Sequence, residues 1–207
     1  VDPFVGQTVG QYVVESLIGQ GGMASVYKAY QPSISRYVAI KVLSENYAKD
    51  NAFLRRFEGE AKAVAALEHP HILPVYDFGF HKGLPYMVMR YIDGGTLAEL
   101  MADNQSLTYE QIVTTVAGVV DALDYAHSQG IVHRDIKPSN IMIDQHEEVL
   151  LTDFGLAKVF TMSEKSRLTQ AGTVVGTASY MSPEQAADEP LDGRSDIYSL
   201  GVVLFEM

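Results

Sequence analysis

His133-Arg134-Asp135-Ile136-Lys137-Pro138-Ser139-Asn140 places an acid, three cationic or ionisable side chains and a carboxamide within eight consecutive positions. The stretch follows a helical pattern and precedes the apolar triplet Ile141-Met142-Ile143. A second apolar run, Val149-Leu150-Leu151, leads into Asp153-Phe154-Gly155. Two short strands joined through the polar segment Asp144 to Glu148 would form a hairpin, bringing Asn140 close to Asp153. An Asn and an Asp converging beside a second acid, Asp135, suit an oxygen-ligated Mg²⁺ with a base nearby.

Upstream of this stretch, Thr108-Tyr109-Glu110-Gln111 has the form of a capping box. Ile112, Val116, Val119, Val120, Leu123 and Ala126 then recur at helical spacing as the expected buried stripe, and Gly130 is the expected stop. This helix is core, and it delivers the chain to His133.

Towards the start, Tyr12 to Ile18 has strand character and runs into Gly19-Gln20-Gly21-Gly22-Met23-Ala24-Ser25-Val26. Strand, glycine loop, strand lets backbone N–H groups approach anionic oxygens, and it is equally the form of an ordinary hairpin turn. Tyr37 to Leu43 alternates as a strand, with Lys41 interrupting the apolar run. Such a lysine either extends past a sheet edge into water or points at an anion.

A helix is expected from about Ala52 to Leu67. Phe53, Phe57, Val64 and Leu67 form one stripe, with Glu60 in its middle and Glu58 on the far side. An acid on a buried stripe needs a cationic partner, and Lys41 is the candidate. Gly59 weakens the helix by roughly 1 kcal/mol relative to alanine, which favours a helix that swings in and out. His69 and His71 flank Pro70 with no third ligand in view, so a loop role is preferred to a metal pair. Strand patterns return around residues 72–76 and 86–89. At Arg90-Tyr91-Ile92-Asp93-Gly94-Gly95 the apolar pattern yields to glycines, as in a linker between lobes.

The composition, 47% hydrophobic and 20% charged, excludes a disordered chain. A net charge of −11, from 15 basic and 26 acidic residues, disfavours a nucleic-acid partner. The absence of cysteine rules out disulfides, thiolate metal sites and thiol catalysis, and suits a reducing cytoplasm. No apolar run has membrane-spanning length, and no basic-then-apolar leader opens the chain. The chain starts at Val1 and stops inside an apolar run, Val202 to Met207, without a cap, so a fragment of a longer protein is expected.

Together, His133-Arg134-Asp135 with Asn140, Asp153-Phe154-Gly155 and Ser182-Pro183-Glu184 resemble the catalytic half of a eukaryotic-type protein kinase, in wording similar to bacterial serine/threonine kinases. The resemblance runs from about Gln11 to Met207. It implies a two-lobed α+β fold: an antiparallel-sheet N-lobe with one main helix over 1–89, a hinge at 90–95, and an incomplete, mostly helical C-lobe over 96–207. It implies transfer of the ATP γ-phosphate to Ser or Thr hydroxyls of protein substrates, its own activation loop included, with Mg²⁺ or, in its place, Mn²⁺. It leaves dimerisation open, and it is compatible with the cytoplasmic part of a membrane-anchored protein.

Residue by residue, the resemblance lays Gly19, Gln20, Gly21, Gly22 and Val26 over the nucleotide, with Ala24 where a third glycine is usual. It puts Ala39 and Met142 in the nucleotide site, gives the α- and β-phosphates to Lys41, and pairs Lys41 with Glu60. Met89 guards the adenine pocket, and the backbone of Arg90 and Ile92 meets the base. Asp135 accepts the substrate proton, and Lys137 stands on the γ-phosphate side with Thr177 as companion. Asn140 and Asp153 hold metal. Arg134 awaits a phosphate on an activation loop at 156–175, where Thr169 and Thr173 are the candidate acceptors. Glu184 would pair with an arginine beyond this chain, and Asp196 resembles the aspartate that braces the catalytic loop. The rivals are a nucleotide-binding module without turnover and a small-molecule phosphotransferase of similar fold; the activation segment disfavours the second.

Overall fold

The computed structural model describes residues 2–22, 24–48, 51–102, 107–154 and 177–207. They form two compact units, Val1–Ala66 with Pro74–Ile92, and Leu67–Leu73 with Asp93–Met207.

The first unit is an antiparallel sheet of β1 (Thr8–Val9), β2 (Tyr12–Gln20), β3 (Ala24–Gln31), β4 (Arg36–Leu43), β5 (Val75–His81) and β6 (Leu84–Arg90), in the order β1-β2-β3-β4-β6-β5. Residues opposed across a ladder share a face. Val38, Ile40 and Val42 therefore lie with Tyr27, Ala29, Tyr86 and Val88, and with Val9, Tyr12 and Val14 they make a closed apolar core against which Phe4 packs. The opposite face carries Val26, Lys28, Ala39, Lys41, Met87 and Met89.

Between β4 and β5 come α1 (Glu45–Ala48) and α2 (Asn51–Ala65). Phe53, Phe57, Ala61 and Val64 are the buried positions of α2. The helix is shorter than its apolar pattern: Leu67 is buried, but in the second unit, so the chain leaves the helix ahead of Pro70. The strand expected at 72–76 is displaced as well. Pro74 has no N–H to give a ladder, its carbonyl accepts from Arg90 N–H at 3.0 Å, and β5 starts only at Val75. Ile72 instead bridges to Leu151 in the second unit.

The second unit contains a sheet of β7 (Gly94–Thr96), β8 (Ile141–Asp144) and β9 (Val149–Leu151), with α3 (Leu97–Ala102), α4 (Tyr109–Ser128), α5 (Pro183–Ala186) and α6 (Gly193–Glu206). The hairpin of β8 and β9 is the one read from the sequence. Its turn is closed by Asp144, whose Oδ1 accepts from the N–H groups of His146 at 2.7 Å and Glu148 at 3.0 Å. Gly94 and Gly95, expected in a linker, are ladder residues opposite Asp144 and Ile143. A Cβ on Gly94 would fall 2.2 Å from the Ile143 carbonyl oxygen, so glycine here permits close strand approach.

The capping box forms on α4: Gln111 N–H donates to Thr108 Oγ1 at 3.2 Å, and Thr108 N–H donates to Gln111 Oε1 at 3.0 Å. The helix ends in a Schellman motif: Gly130, at φ 74°, donates to His127 O, and Ile131 N–H donates to Ala126 O, both at 2.9 Å. Val119, Leu123 and Ala126 of the expected stripe are buried, and the buried face continues through Thr115, Gly118 and Ala122, whereas Ile112 and Val116 are half-buried and Val120 is 44% exposed. Small residues set this face. A Cβ on Gly118 would lie 3.2 Å from both His71 Nδ1 and Val149 Cβ, so α4 approaches β9 where its side chains are least bulky. No helix of the described residues is long and apolar enough to cross a membrane.

Candidate active site

The loop from His133 to Asn140 leaves α4 and enters β8 through a 3₁₀ turn at Pro138–Asn140. It has no ladder of its own; a carboxylate holds it. Asp196, in the first turn of α6 and fully buried, accepts from His133 N–H at 2.8 Å, Arg134 N–H at 2.7 Å and His127 Nε2–H at 2.7 Å. From α5, Gln185 Nε2 donates to Arg134 O at 2.7 Å. With both backbone polar groups of Arg134 tied, its φ of 72° is over-determined; the left-handed region costs a non-glycine residue about 1 kcal/mol or more.

His133 is buried to 0% exposure and joins the loop to β9. Its Nε2–H donates to Thr152 O at 2.7 Å, its Nδ1 accepts from Asp135 N–H at 3.2 Å, and its ring lies 4.6 Å from that of Phe154. Burial pushes the imidazole below its ordinary pKa, with the Asp196 carboxylate acting in the opposite direction. The donor and acceptor roles are those of a neutral ring.

Asp135, Lys137 and Asn140 converge. Lys137 Nζ lies 2.7 Å from Asp135 Oδ2, and both side chains remain about one-fifth exposed, at 22% and 20%. Asn140 Nδ2 donates to Asp135 Oδ2 at 2.9 Å and to Asp135 O at 2.7 Å. Asn140 O accepts from Thr152 N–H at 2.9 Å, which fixes the register between Asn140 and the residue preceding Asp153. Asp153 itself is left-handed, at φ 66°. The nitrogen of Asn140 is turned to Asp135, and its carboxamide oxygen and the Asp153 carboxylate are donors of the type that a hard cation such as Mg²⁺ would take. Among the described residues, no three His, Asp or Glu side chains form a metal cluster. His69 and His71 are tied to the fold: His69 stacks on Tyr125 at 5.1 Å and lies 3.3 Å from Asp121, while His71 Nδ1 bonds Val149 O at 2.9 Å.

In the first unit, Lys41 stands on β4, flanked by Val26 of β3 and Met87 of β6. β4 is an interior strand, so Lys41 does not stand at a sheet edge. Both Lys41 and Glu60 have interaction partners. Glu58 is half-buried like Glu60, so exposure does not separate the two glutamates.

Gly19 pairs with Val26, and Gly21 N–H closes the turn on Ala24 O at 2.9 Å. A Cβ on Gly22 would meet nothing within 4 Å, so the backbone there is open to approach. Ala24 is not among the residues of positive φ, and it replaces the third glycine without strain. Ala39, Met89 and Ile92 are 7%, 8% and 7% exposed. Arg90 N–H is engaged by Pro74 O, so a base contact from Arg90 falls to its carbonyl. Met142, on β8, is half-buried opposite Leu150.

Thr177 opens a 3₁₀ turn, but its side chain lies outside the described residues, as do Gly155 and the segment 156–175 with Thr169 and Thr173. Arg134 Nε is buried with no hydrogen-bond partner among the described residues. Ser182, where alanine is usual, caps α5 by accepting Gln185 N–H at 3.3 Å. Glu184 accepts from Ser195 Oγ at 2.5 Å, a bond that holds its carboxyl below the usual range. The parts played by His127 and Gln185 were not legible in the sequence: their bonds span 69 and 51 residues and rest on no local pattern.

Residues 12–207 match the family described as the protein kinase domain. The chain belongs to the protein kinase family. Its relatives among curated proteins include bacterial serine/threonine kinases. This kinase chain is 44% identical over 202 residues to the probable serine/threonine-protein kinase SCO3848 of Streptomyces coelicolor, covering 96% of the chain and 30% of that protein. It is 43% identical over 198 residues to the serine/threonine-protein kinase PrkC of Bacillus subtilis, again covering 96% of the chain and 30% of the relative. The chain thus spans less than a third of the length of these relatives. The crystal structure of the Mycobacterium tuberculosis PknI kinase domain superposes with a TM-score of 0.79 at 35% identity, covering 97% of this chain and 73% of that one. The protein-kinase α+β fold class follows.

Proposed function

We propose that this chain carries the catalytic part of a serine/threonine protein kinase, transferring the γ-phosphate of ATP to Ser or Thr hydroxyls of protein substrates and of its own activation loop. The observation that carries this reading is the convergence of Asp135, Lys137 and Asn140 on a loop pinned by Asp196. The Asp135 carboxylate, about one-fifth exposed, takes the proton of the incoming hydroxyl as that oxygen forms its bond to the γ-phosphorus and the bond to ADP breaks. Lys137, 2.7 Å from Asp135, stabilises the negative charge on the transferred group, with Thr177 as its companion.

In the first unit, Lys41 neutralises the α- and β-phosphates and Glu60 orients it. Gly19, Gln20, Gly21, Gly22 and Val26 cover the nucleotide. Ala39, Met89, Arg90 and Ile92 serve the base, and the family pattern assigns Met142 to the nucleotide as well. Asn140 and Asp153 would hold Mg²⁺, or Mn²⁺ in its place, which when bound offsets phosphate charge. Arg134, with its buried Nε, would receive a phosphate on Thr169 or Thr173 in bidentate fashion. The cysteine-free composition suits a cytoplasmic location.

The test is incorporation from γ-labelled ATP with Mg²⁺, comparing the 207-residue chain with Asp135→Asn and Asp153→Asn. Asparagine tolerates the left-handed conformation at position 153, so the fold is expected to stay intact. Loss of the general base lowers incorporation by about 10²- to 10⁴-fold. Turnover unchanged in both variants sinks the assignment. A parent that binds nucleotide in a thermal-shift assay but incorporates nothing returns the reading to a nucleotide-binding module without turnover.

A further inference from the structure

One face of the first unit's sheet is laid out in rows. Val26, Lys41 and Met87 form one, and Lys28, Ala39 and Met89 the next. Beyond them Tyr30 pairs with Tyr37, at the end where β6 stops at Arg90. Lys28 reaches from its row into this last one. Its Nζ lies 4.3 Å from the centroid of Tyr37 and 4.7 Å from that of Tyr91. The two rings are 6.4 Å apart at 60°, and Tyr30 backs Tyr37 at 5.3 Å. An ammonium between two aromatic faces is attracted to both, and it gains most where it is partly shielded from water, as the half-buried Lys28 is.

Tyr91 lies between Arg90 and Ile92, past the last rung of β6. From behind, the segment is held by Arg90 N–H on Pro74 O. From the sheet it is held by the ring of Tyr91 on Lys28. We infer that Lys28 and Tyr37 clamp Tyr91 and thereby position the Arg90 to Ile92 backbone for the nucleotide base, an inference that rests on the function proposed above. They are positioning residues, since they act on the base only through Tyr91.

The experiment is calorimetric titration of ADP with Mg²⁺ into the 207-residue chain and into Lys28→Ala, Tyr37→Ala, Lys28→Arg and the double alanine variant. Each single alanine is expected to weaken ADP binding about threefold to tenfold. Lys28→Arg restores affinity to within about twofold, because a guanidinium also stacks on aromatic faces. The double variant loses no more than the weaker single, because the two residues form one clamp. Affinity unchanged in both singles, Lys28→Arg as weak as Lys28→Ala, or additive losses in the double variant would each overturn the clamp. A parent chain that binds no ADP overturns instead the nucleotide reading on which the clamp rests, so the two failures are separable.

Discussion

Around Asp196, a loop with no ladder is held in an unfavourable conformation by hydrogen bonds converging on one buried carboxylate. On the first unit's sheet, Val26, Ala39, Lys41 and Met89 share a face because strand register puts them there, with the opposite face filled by a closed apolar core. The first arrangement depends on single groups, and the second on a ladder that no one side chain controls. Removing a functional side chain from the sheet should therefore leave the fold alone. Removing the brace from the loop should damage fold and chemistry together.

The largest effect is expected at Asp196→Ala. The substitution leaves the buried His133 N–H, the half-buried Arg134 N–H and His127 Nε2 without their acceptor, and it releases the φ of 72° at Arg134. A loss of about 3–5 kcal/mol in urea unfolding is expected, on the scale of breaking a buried charge network. Asp196→Asn keeps one acceptor oxygen and should fall between the parent and alanine. If Asp196→Ala unfolds at the same urea concentration as the parent, the loop has another support and the contrast fails.

An intermediate effect, on binding and not on stability, is expected for Lys41→Met and Glu60→Gln. Both should weaken Mg-nucleotide binding while the urea midpoint stays near that of the parent, because methionine suits a half-buried strand position and Lys41 has Val26 and Met87 beside it. Glu58→Gln should do much less. Exposure does not separate the two glutamates, so the comparison rests on the helical stripe and on the family pattern. Equal effects at positions 58 and 60 would remove the stripe argument for Glu60.

What could be read from the sequence divides along the same contrast. The stretch from His133 to Asn140 was legible because its chemistry lies in residue identity, and the β8–β9 hairpin because two short apolar runs flank a polar turn. Lys41 was legible as a charge in a strand, but only sheet order showed that the strand is central. Glycine misled at position 94, where a linker was expected and a strand pair formed. A glycine signals flexibility or close approach with the same letter, and only the Ile143 carbonyl at 2.2 Å from its missing Cβ tells them apart. The stripe of α4 was legible at Val119, Leu123 and Ala126 and missed elsewhere for a related reason. Valines and isoleucines mark a hydrophobic face, whereas this helix approaches its neighbour through Gly118. The bonds of Gln185 and His127 were invisible because their partners lie far along the chain.

The smallest effect sharpens the comparison at the glycine loop. Ala24 occupies a position where glycine is usual, yet its backbone is not left-handed and it begins β3. Ala24→Gly should therefore relieve no strain. It should lower stability by about 0.5–1 kcal/mol, the entropic cost of glycine inside a strand, and leave Mg-nucleotide affinity within about twofold of the parent. Urea unfolding and ADP titration on the same samples measure both. If the variant instead gains stability, or binds nucleotide markedly tighter, then Ala24 is strained in the working loop, and register alone does not order that end of the sheet.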